Sequence, residues 1–120
     1  MKLFFDGGLR PGGMELAVVA GGHATILRDL GPGTSMDAEW LALIQAVRIA
    51  RDRGVTDAVL LGDAAAVIAQ ANGVQRIPAS CTHHHQAFLA MDKPAGRLRI
   101  RYIKRTQNLA GIALSRSHQR

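Results

Sequence analysis

The sequence predicts an α/β domain with a five-stranded mixed sheet and helices on both faces. Short apolar runs bounded by glycine predict strands, whereas apolar residues that recur every three or four positions predict helices. The order of these segments along the 120 residues is β-β-β-α-β-α-α-β-α. No repeat or linker interrupts this order, so we expect residues 1–120 to form a single domain with a modest hydrophobic core.

Three strands are predicted at the start of the chain. The first is the apolar run from Lys2 to Asp6, which Gly7-Gly8 follows. Residues 15–20 and 23–29 are the other two, and the pair Gly21-Gly22 between them is typical of a tight hairpin turn. Together these segments predict an antiparallel meander.

The clearest helix spans residues 35–53, because its apolar residues recur at helical spacing before Gly54. A short strand at 58–61 leads into an alanine-rich helix at 63–72. Three elements follow the next loop: a helix at 82–91, a strand at 97–103 of alternating basic and apolar residues, and a helix at 108–115 with Asn108 as its N-cap.

Positive charge is concentrated near the C-terminus. The net charge is +6 and the pI about 10.7, and residues 97–120 hold seven Lys or Arg and no Asp or Glu. A basic surface also serves solubility alone, but this clustering favours a nucleic acid as the partner. Because Tyr102 is the only aromatic residue there, we expect contacts with phosphates rather than stacking on bases.

Other features bear on the environment of the protein. There is no apolar run of about 18 residues that predicts a membrane span, and the N-terminal residues do not form a secretory signal. A single cysteine, Cys81, rules out an internal disulfide and suits a reducing compartment. We therefore expect a cytoplasmic protein with no membrane partner, and no obligate protein partner is evident.

Three acidic residues from distant segments are predicted to meet at one edge of the sheet. Asp6 ends the first strand, and Asp63 ends a fourth strand that a right-handed crossover makes parallel to the third. The crossover helix begins at the same edge, which places Glu39 beside them. Each acid alone is better explained structurally, Asp6 as a turn residue, Glu39 by the dipole at a helix N-terminus and Asp63 as an N-cap. Together they favour a site for Mg²⁺ or Mn²⁺, because clustered carboxylates repel one another unless a cation neutralises them.

Four segments, spread over nearly the whole chain, resemble the ribonuclease H family, in particular its compact bacterial and archaeal members. In chain order they are FFDGGLRPGG, TSMDAEWLALIQAV, LLGDAAAVIAQANG and RTQNLAGIALS. They are similar to the family's Asp-Gly strand, its Thr-rich loop and Ala-Glu helix start, its Asp-Ser helix and its closing helix, which begins with Asn. Their order agrees with the predicted order of elements.

The resemblance implies a ribonuclease H-like fold and metal-dependent endonucleolytic cleavage of the RNA strand of RNA–DNA hybrids, with two ions about 4 Å apart. It implies that Asp6, Glu39 and Asp63 are catalytic and bind Mg²⁺ or Mn²⁺, Asp6 bridging both ions, and that Glu39 lies near the 2′-hydroxyl of RNA. We expect a further set of residues in or beside these segments to contact the nucleic acid: Gly7, Thr34, Ser35, Lys104, Arg105 and Asn108.

The sequence departs from the family pattern at the fourth catalytic carboxylate. The family has this acid four residues after the Asn that begins the last helix, and that position is Ile112 here. Isoleucine cannot coordinate a cation. Asp37 is expected to point away from Glu39 on the helix, and His118 to be a surface histidine. A catalytically degenerate nucleic-acid-binding module on the same fold is therefore the alternative, and a relative that acts on structured DNA is a third reading.

A group of histidines, His83, His84 and His85, follows Cys81 closely and suggests a zinc site. Adjacent residues on a helix point in different directions, so these residues need ligands from elsewhere to share one ion. No second Cys or His pair with zinc-finger spacing is present. The favoured interpretation is a solvated start of a helix.

Overall fold

Five strands form one mixed sheet in the computed structural model, which describes residues 1–118. The strands β1 and β2 are antiparallel, as are β2 and β3, whereas β4 runs parallel to both β1 and β5. The order across the sheet is β3-β2-β1-β4-β5. This arrangement confirms the predicted α/β class and mixed sheet. The strands are β1 (Lys2–Arg10), β2 (Gly13–Ala20), β3 (His23–Leu27), β4 (Asp57–Gly62) and β5 (Arg97–Tyr102).

The first strand is longer than predicted, because its glycines do not end it. Gly7 and Gly8 stay in the antiparallel ladder opposite Leu16 and Glu15 of β2. The expectation that Asp6 ends this strand is therefore wrong. Asp6 nevertheless lies just beyond the parallel part of the sheet, as predicted, because the pairing between β1 and β4 ends at Phe4 and Leu61.

Four α-helices connect and cover the sheet, each within a residue or two of its predicted bounds. Asn108 is the N-cap of the last helix, as predicted. The longest helix begins with a capping box in which Thr34 and Asp37 exchange side-chain to backbone hydrogen bonds. The helices are α1 (Ser35–Asp52), α2 (Ala65–Ala71), α3 (Thr82–Ala90) and α4 (Leu109–Arg116).

The helices pack on both faces of the sheet, as predicted. The main core lies between α1, α2, α3 and one face, and its centre is the fully buried Trp40, whose indole Nε1 donates a hydrogen bond to Gln70 Oε1 at 2.9 Å. Helix α4 covers the other face through a smaller cluster that includes Ala17, Ala110 and Leu114. None of the helices within residues 1–118 combines the length and the hydrophobicity of a membrane span.

Helix α1 packs unusually closely on β1 at Gly7. A Cβ atom at this position would lie 2.3 Å from the carbonyl carbon of Ala38 and 2.6 Å from the backbone nitrogen of Glu39. Only glycine leaves room for this contact. The contact allows the Gly7 N–H to donate a hydrogen bond to the Glu39 carboxylate. The backbone of β1 therefore fixes the position of an acid carried by α1.

The substitution Gly7→Ala is expected to lower the free energy of unfolding by about 3 kcal/mol, because the added methyl group overpacks the contact between β1 and α1. Urea denaturation measures this loss. Gly8→Ala is the matched control, since its Cβ would lie 3.5 Å from the nearest atom, an ordinary contact with Leu114. Equal losses in the two variants would contradict this explanation.

Candidate active site

Three carboxylates from three elements meet beside the end of the β1–β4 pairing. Asp6 comes from β1, Glu39 from the first turns of α1, and Asp63 follows β4 directly. One oxygen atom of each side chain lies within 4.8 Å of the other two. All three residues are half-buried. The structure thus brings together the acids that the sequence predicts at this edge of the sheet.

The side chain of Asn108 positions Asp63. Its Nδ2 donates hydrogen bonds to Asp63 Oδ2 and to the carbonyl of Phe5, each at 3.0 Å, and its Oδ1 accepts one from the Ala110 N–H at 3.1 Å. Asn108 is fully buried, so its side chain has no surface for a nucleic acid. The expected direct contact of Asn108 with nucleic acid is therefore wrong in this structure, and the residue instead joins the start of α4 to Asp63.

Helix α4 approaches Asp6 closely without adding an acid. A Cβ at Gly111 would lie 3.3 Å from Asp6 Oδ2, and the next residue, Ile112, lines the same groove with 37% of its surface exposed. There is no Asp or Glu in α4. Position 112 therefore faces the groove of the acids, but it presents an apolar side chain there.

Burial and mutual repulsion change the protonation of these acids. Burial, followed by the charge of Asp63, raises the pKa of Asp6 to about 6, although Glu39, Arg105 and Gly7 oppose this rise. Burial, followed by the charge of Asp6, raises the pKa of Glu39 to about 8, against the hydrogen bond from Gly7. Without a bound cation, the folded protein therefore favours the protonated forms of both acids more than the unfolded chain does.

The donor set fits a divalent cation. None of the three acids has an ion-pair partner within 4.0 Å among residues 1–118, so their charge is uncompensated by direct contact. Carboxylate oxygens are the ligands that Mg²⁺ and Mn²⁺ prefer. A cation bound to all three would balance their charge and relieve their mutual repulsion.

The acids lie in an open groove of about 800 Å³ with basic residues along it. Arg10 at the end of β1, Arg105 before α4 and Arg116 at the end of α4 line this groove. Among the predicted nucleic-acid contacts, Gly7, Ser35 and Arg105 also line it. Lys104 and Thr34 are exposed outside the lining, and the Thr34 Oγ1 accepts the N–H of Asp37. The last basic residue of the C-terminal segment, Arg120, lies outside the described residues.

Sequence reasoning missed a fourth acid in the groove, which is buried. Glu15 on β2 is 4% exposed, and both of its carboxylate oxygens lie within 2.9 Å of Nε2 of His118. The expectation that His118 is a bare surface histidine is therefore wrong. The register of β1 and β2 would have indicated the position of Glu15. Glu15 pairs with Gly8, which lies two residues after Asp6, so Glu15 and Asp6 are on the same face of the sheet.

Asp37 points away from the three acids, as predicted. Its Oδ1 lies 2.8 Å from Nε2 of His84, and its Oδ2 accepts the Thr34 N–H at 2.9 Å. The hydrogen bonds from Thr34 and His84 lower the pKa of Asp37. The predicted solvated helix start is wrong for His84, which is only 6% exposed.

The variant Glu39→Gln is expected to stabilise the cation-free protein at pH 8. The folded-state pKa of Glu39, about 8, exceeds its ordinary value of 4.5, so the folded protein binds more protons than the unfolded chain between these values. Stability therefore falls as pH rises through this window, and glutamine removes that loss while keeping an oxygen for the Gly7 N–H. In EDTA we expect Tm to rise by about 5 °C at pH 8.

At pH 4.5 the same substitution is expected to leave Tm nearly unchanged. Asp52→Asn is the matched control on α1, because the Asp52 side chain is 61% exposed and lies outside the groove. Thermal unfolding of the three proteins at both pH values provides the measurement. A lower Tm for Glu39→Gln at pH 8 would refute the raised pKa.

A family of known proteins matches most of the chain. Residues 19–118 match the family described as reverse transcriptase-like, a range that includes Glu39 and Asp63 and begins after Asp6. Comparison with curated proteins found no similar sequence.

Several solved structures share the fold, and three of them illustrate the likeness. The N-terminal RNase H domain of Rv2228c from Mycobacterium tuberculosis is 24% identical, with a TM-score of 0.68 over 94% of this chain and 93% of that one. RNase H1 from the halophilic archaeon Halobacterium salinarum is 26% identical, with a TM-score of 0.69 over 94% and 92%. LC11-RNase H1 in complex with an RNA/DNA hybrid is 20% identical, with a TM-score of 0.71 over 97% of both chains.

The family match spans most of the chain, and the fold is shared with the three solved structures at TM-scores of 0.68 to 0.71. The chain therefore belongs to the reverse transcriptase-like family and has an RNase H-like fold related to the RNase H1 enzymes of bacteria and archaea.

Proposed function

We propose that this protein is a divalent-cation-dependent endonuclease that cleaves the RNA strand of RNA–DNA hybrids. The observation that carries the proposal is the convergence of Asp6, Glu39 and Asp63 within 4.8 Å in a groove lined by arginines. A protein of the same fold, LC11-RNase H1, has been crystallised with an RNA/DNA hybrid, which supports this class of substrate.

The three acids would hold Mg²⁺ or Mn²⁺ in this proposal. Such ions, when bound, neutralise the charge of a scissile phosphate and acidify a water molecule. The protein's own groups keep the acids in place: Asn108 orients Asp63, and the Gly7 N–H orients Glu39. Glu39 is also proposed to lie near the 2′-hydroxyl that distinguishes RNA from DNA.

The arginines of the groove are proposed to bind the phosphates on either side of the acids. Arg10 and Arg116 line the groove with Glu15 and His118, whereas Arg105 lies close enough to Asp6 to lower its pKa. Such phosphate contacts fix the position of the strand without reading its sequence. Lys104, Thr34 and Ser35 are exposed nearby and are proposed to extend this contact.

Ile112 favours a second candidate function, a nucleic-acid-binding module that does not cleave. The side chain lines the groove beside Asp6, where it offers no oxygen to a cation. The groove then has three carboxylate ligands in place of the four that the ribonuclease H resemblance implies. We therefore expect a low rate of cleavage if the protein is a nuclease. The binding module would show no cleavage at all.

The first test measures cleavage of a labelled RNA–DNA hybrid in Mg²⁺ and in Mn²⁺. We expect slow cleavage of the RNA strand and none in EDTA, because the acids need a cation to act on a phosphate. Asp6→Asn is expected to abolish the activity, and the same cleavage by this variant would identify a contaminating nuclease. Hybrid binding without cleavage by the native protein would support the binding module instead.

The second test restores an acid at position 112. Ile112→Asp is expected to raise the cleavage rate about tenfold or more, since a further carboxylate would strengthen cation binding beside Asp6. Ile112→Asn is the matched control, because it has nearly the same shape and polarity without the charge. Equal rates for the two variants would show that the missing acid does not limit cleavage.

A further inference from the structure

A second group of potential metal ligands lies where α3 packs against the start of α1. Asp37, His83 and His84 each offer one ligand atom, and these three atoms lie within 4.8 Å of one another. None of these residues lines the groove of the catalytic acids. The group is therefore separate from the proposed active site.

Two of the three ligands are held in place by the fold. His84 is 6% exposed, and its imidazole lies nearly parallel to the indole of Trp40. The imidazole Nε2 is 2.8 Å from Asp37 Oδ1. The second oxygen of Asp37 accepts the Thr34 N–H at 2.9 Å in the capping box of α1. A cation at this point would meet a carboxylate and an imidazole that are already oriented.

The third ligand, His83, is exposed, and its ring lies against that of His84. The two ring centroids are 3.9 Å apart, although adjacent residues on a helix usually point in different directions. The described structure contains no side-chain hydrogen bond or ion pair of His83. The two neighbouring imidazoles therefore lie together, and the Asp37 carboxylate is the ligand from another segment that the histidine cluster needs.

We propose that Asp37, His83 and His84 bind Zn²⁺. Two imidazole nitrogens and one carboxylate oxygen form a ligand set that suits Zn²⁺ and not Mg²⁺. The ligand atoms of a tetrahedral zinc ion lie about 3.3 Å apart. The distance between Asp37 Oδ1 and His84 Nε2, now 2.8 Å, would therefore increase by only about half an ångström when the ion replaces the proton between them. Because His83 is exposed, water could supply the fourth ligand of a tetrahedral ion.

Zinc at this site would act as a clamp between two helices. Asp37 belongs to the first turn of α1, whereas His83 and His84 belong to the first turn of α3. Binding would join the two helix starts, which otherwise contact each other through the Asp37–His84 pair and the packing around Trp40. The main expected effect is stabilisation of the folded protein, independent of nuclease activity.

The test uses tag-free, EDTA-treated protein titrated with ZnCl₂. We expect one zinc ion at this site, a rise in Tm, and changes in the ring NMR signals of His83 and His84. Calorimetry on the Asp6→Asn variant separates this ion from any zinc held by the three acids of the groove. The substitution His83→Ala removes an exposed ligand and should leave the fold intact. It is expected to weaken zinc binding at least about tenfold, since even the loss of a residue that only orients a ligand costs 10- to 100-fold.

His85→Ala is the matched control, because His85 is the adjacent histidine and lies outside the ligand group. Its zinc affinity is expected to equal that of the native protein. Asp6→Asn distinguishes the two sites, since zinc binding at Asp37 should survive this change. The proposal is wrong if His83→Ala binds zinc as tightly as His85→Ala, or if Asp6→Asn abolishes the binding.

Discussion

The buried amide of Asn108 is the interaction on which the geometry of the acidic groove depends. It joins three parts of the chain, because it bonds to the carbonyl of Phe5 in β1, to the carboxylate of Asp63 after β4 and to the N–H of Ala110 in α4. An amide suits this place since it both donates and accepts, whereas a carboxylate would repel Asp63. A neutral residue thus holds the acids in place without adding to their charge.

The acids themselves oppose folding, and the surrounding backbone compensates for part of this cost. Burial raises the pKa values of Asp6 and Glu39, which means that their charged forms are disfavoured in the folded protein. The close contact at Gly7 nevertheless fixes Glu39 against β1 through a backbone hydrogen bond. A cluster of carboxylates that destabilises the folded protein in this way is typical of sites that bind cations or act on substrates.

The sequence predicted the order of elements and the convergence of Asp6, Glu39 and Asp63, because both follow from periodicity and from the handedness of crossovers. It did not predict that β1 continues through Gly7 and Gly8, since local propensity favours a turn where pairing with β2 maintains the strand. The sequence also did not predict side-chain contacts between residues that are far apart in the chain. The pairs Asp37–His84 and Glu15–His118 join distant segments, and no local pattern specifies them.

The pairing of Glu15 with His118 has a consequence for the extent of the domain. Glu15 is buried in β2, and within the part of the chain described here the imidazole of His118 is its only side-chain hydrogen-bond partner. Shortening the protein to the end of α4 would leave a buried carboxylate without that partner, which is costly. His118, which follows the last helix, is thus part of the groove wall, and a protein shortened to the end of α4 is expected to be less stable than one that keeps this residue.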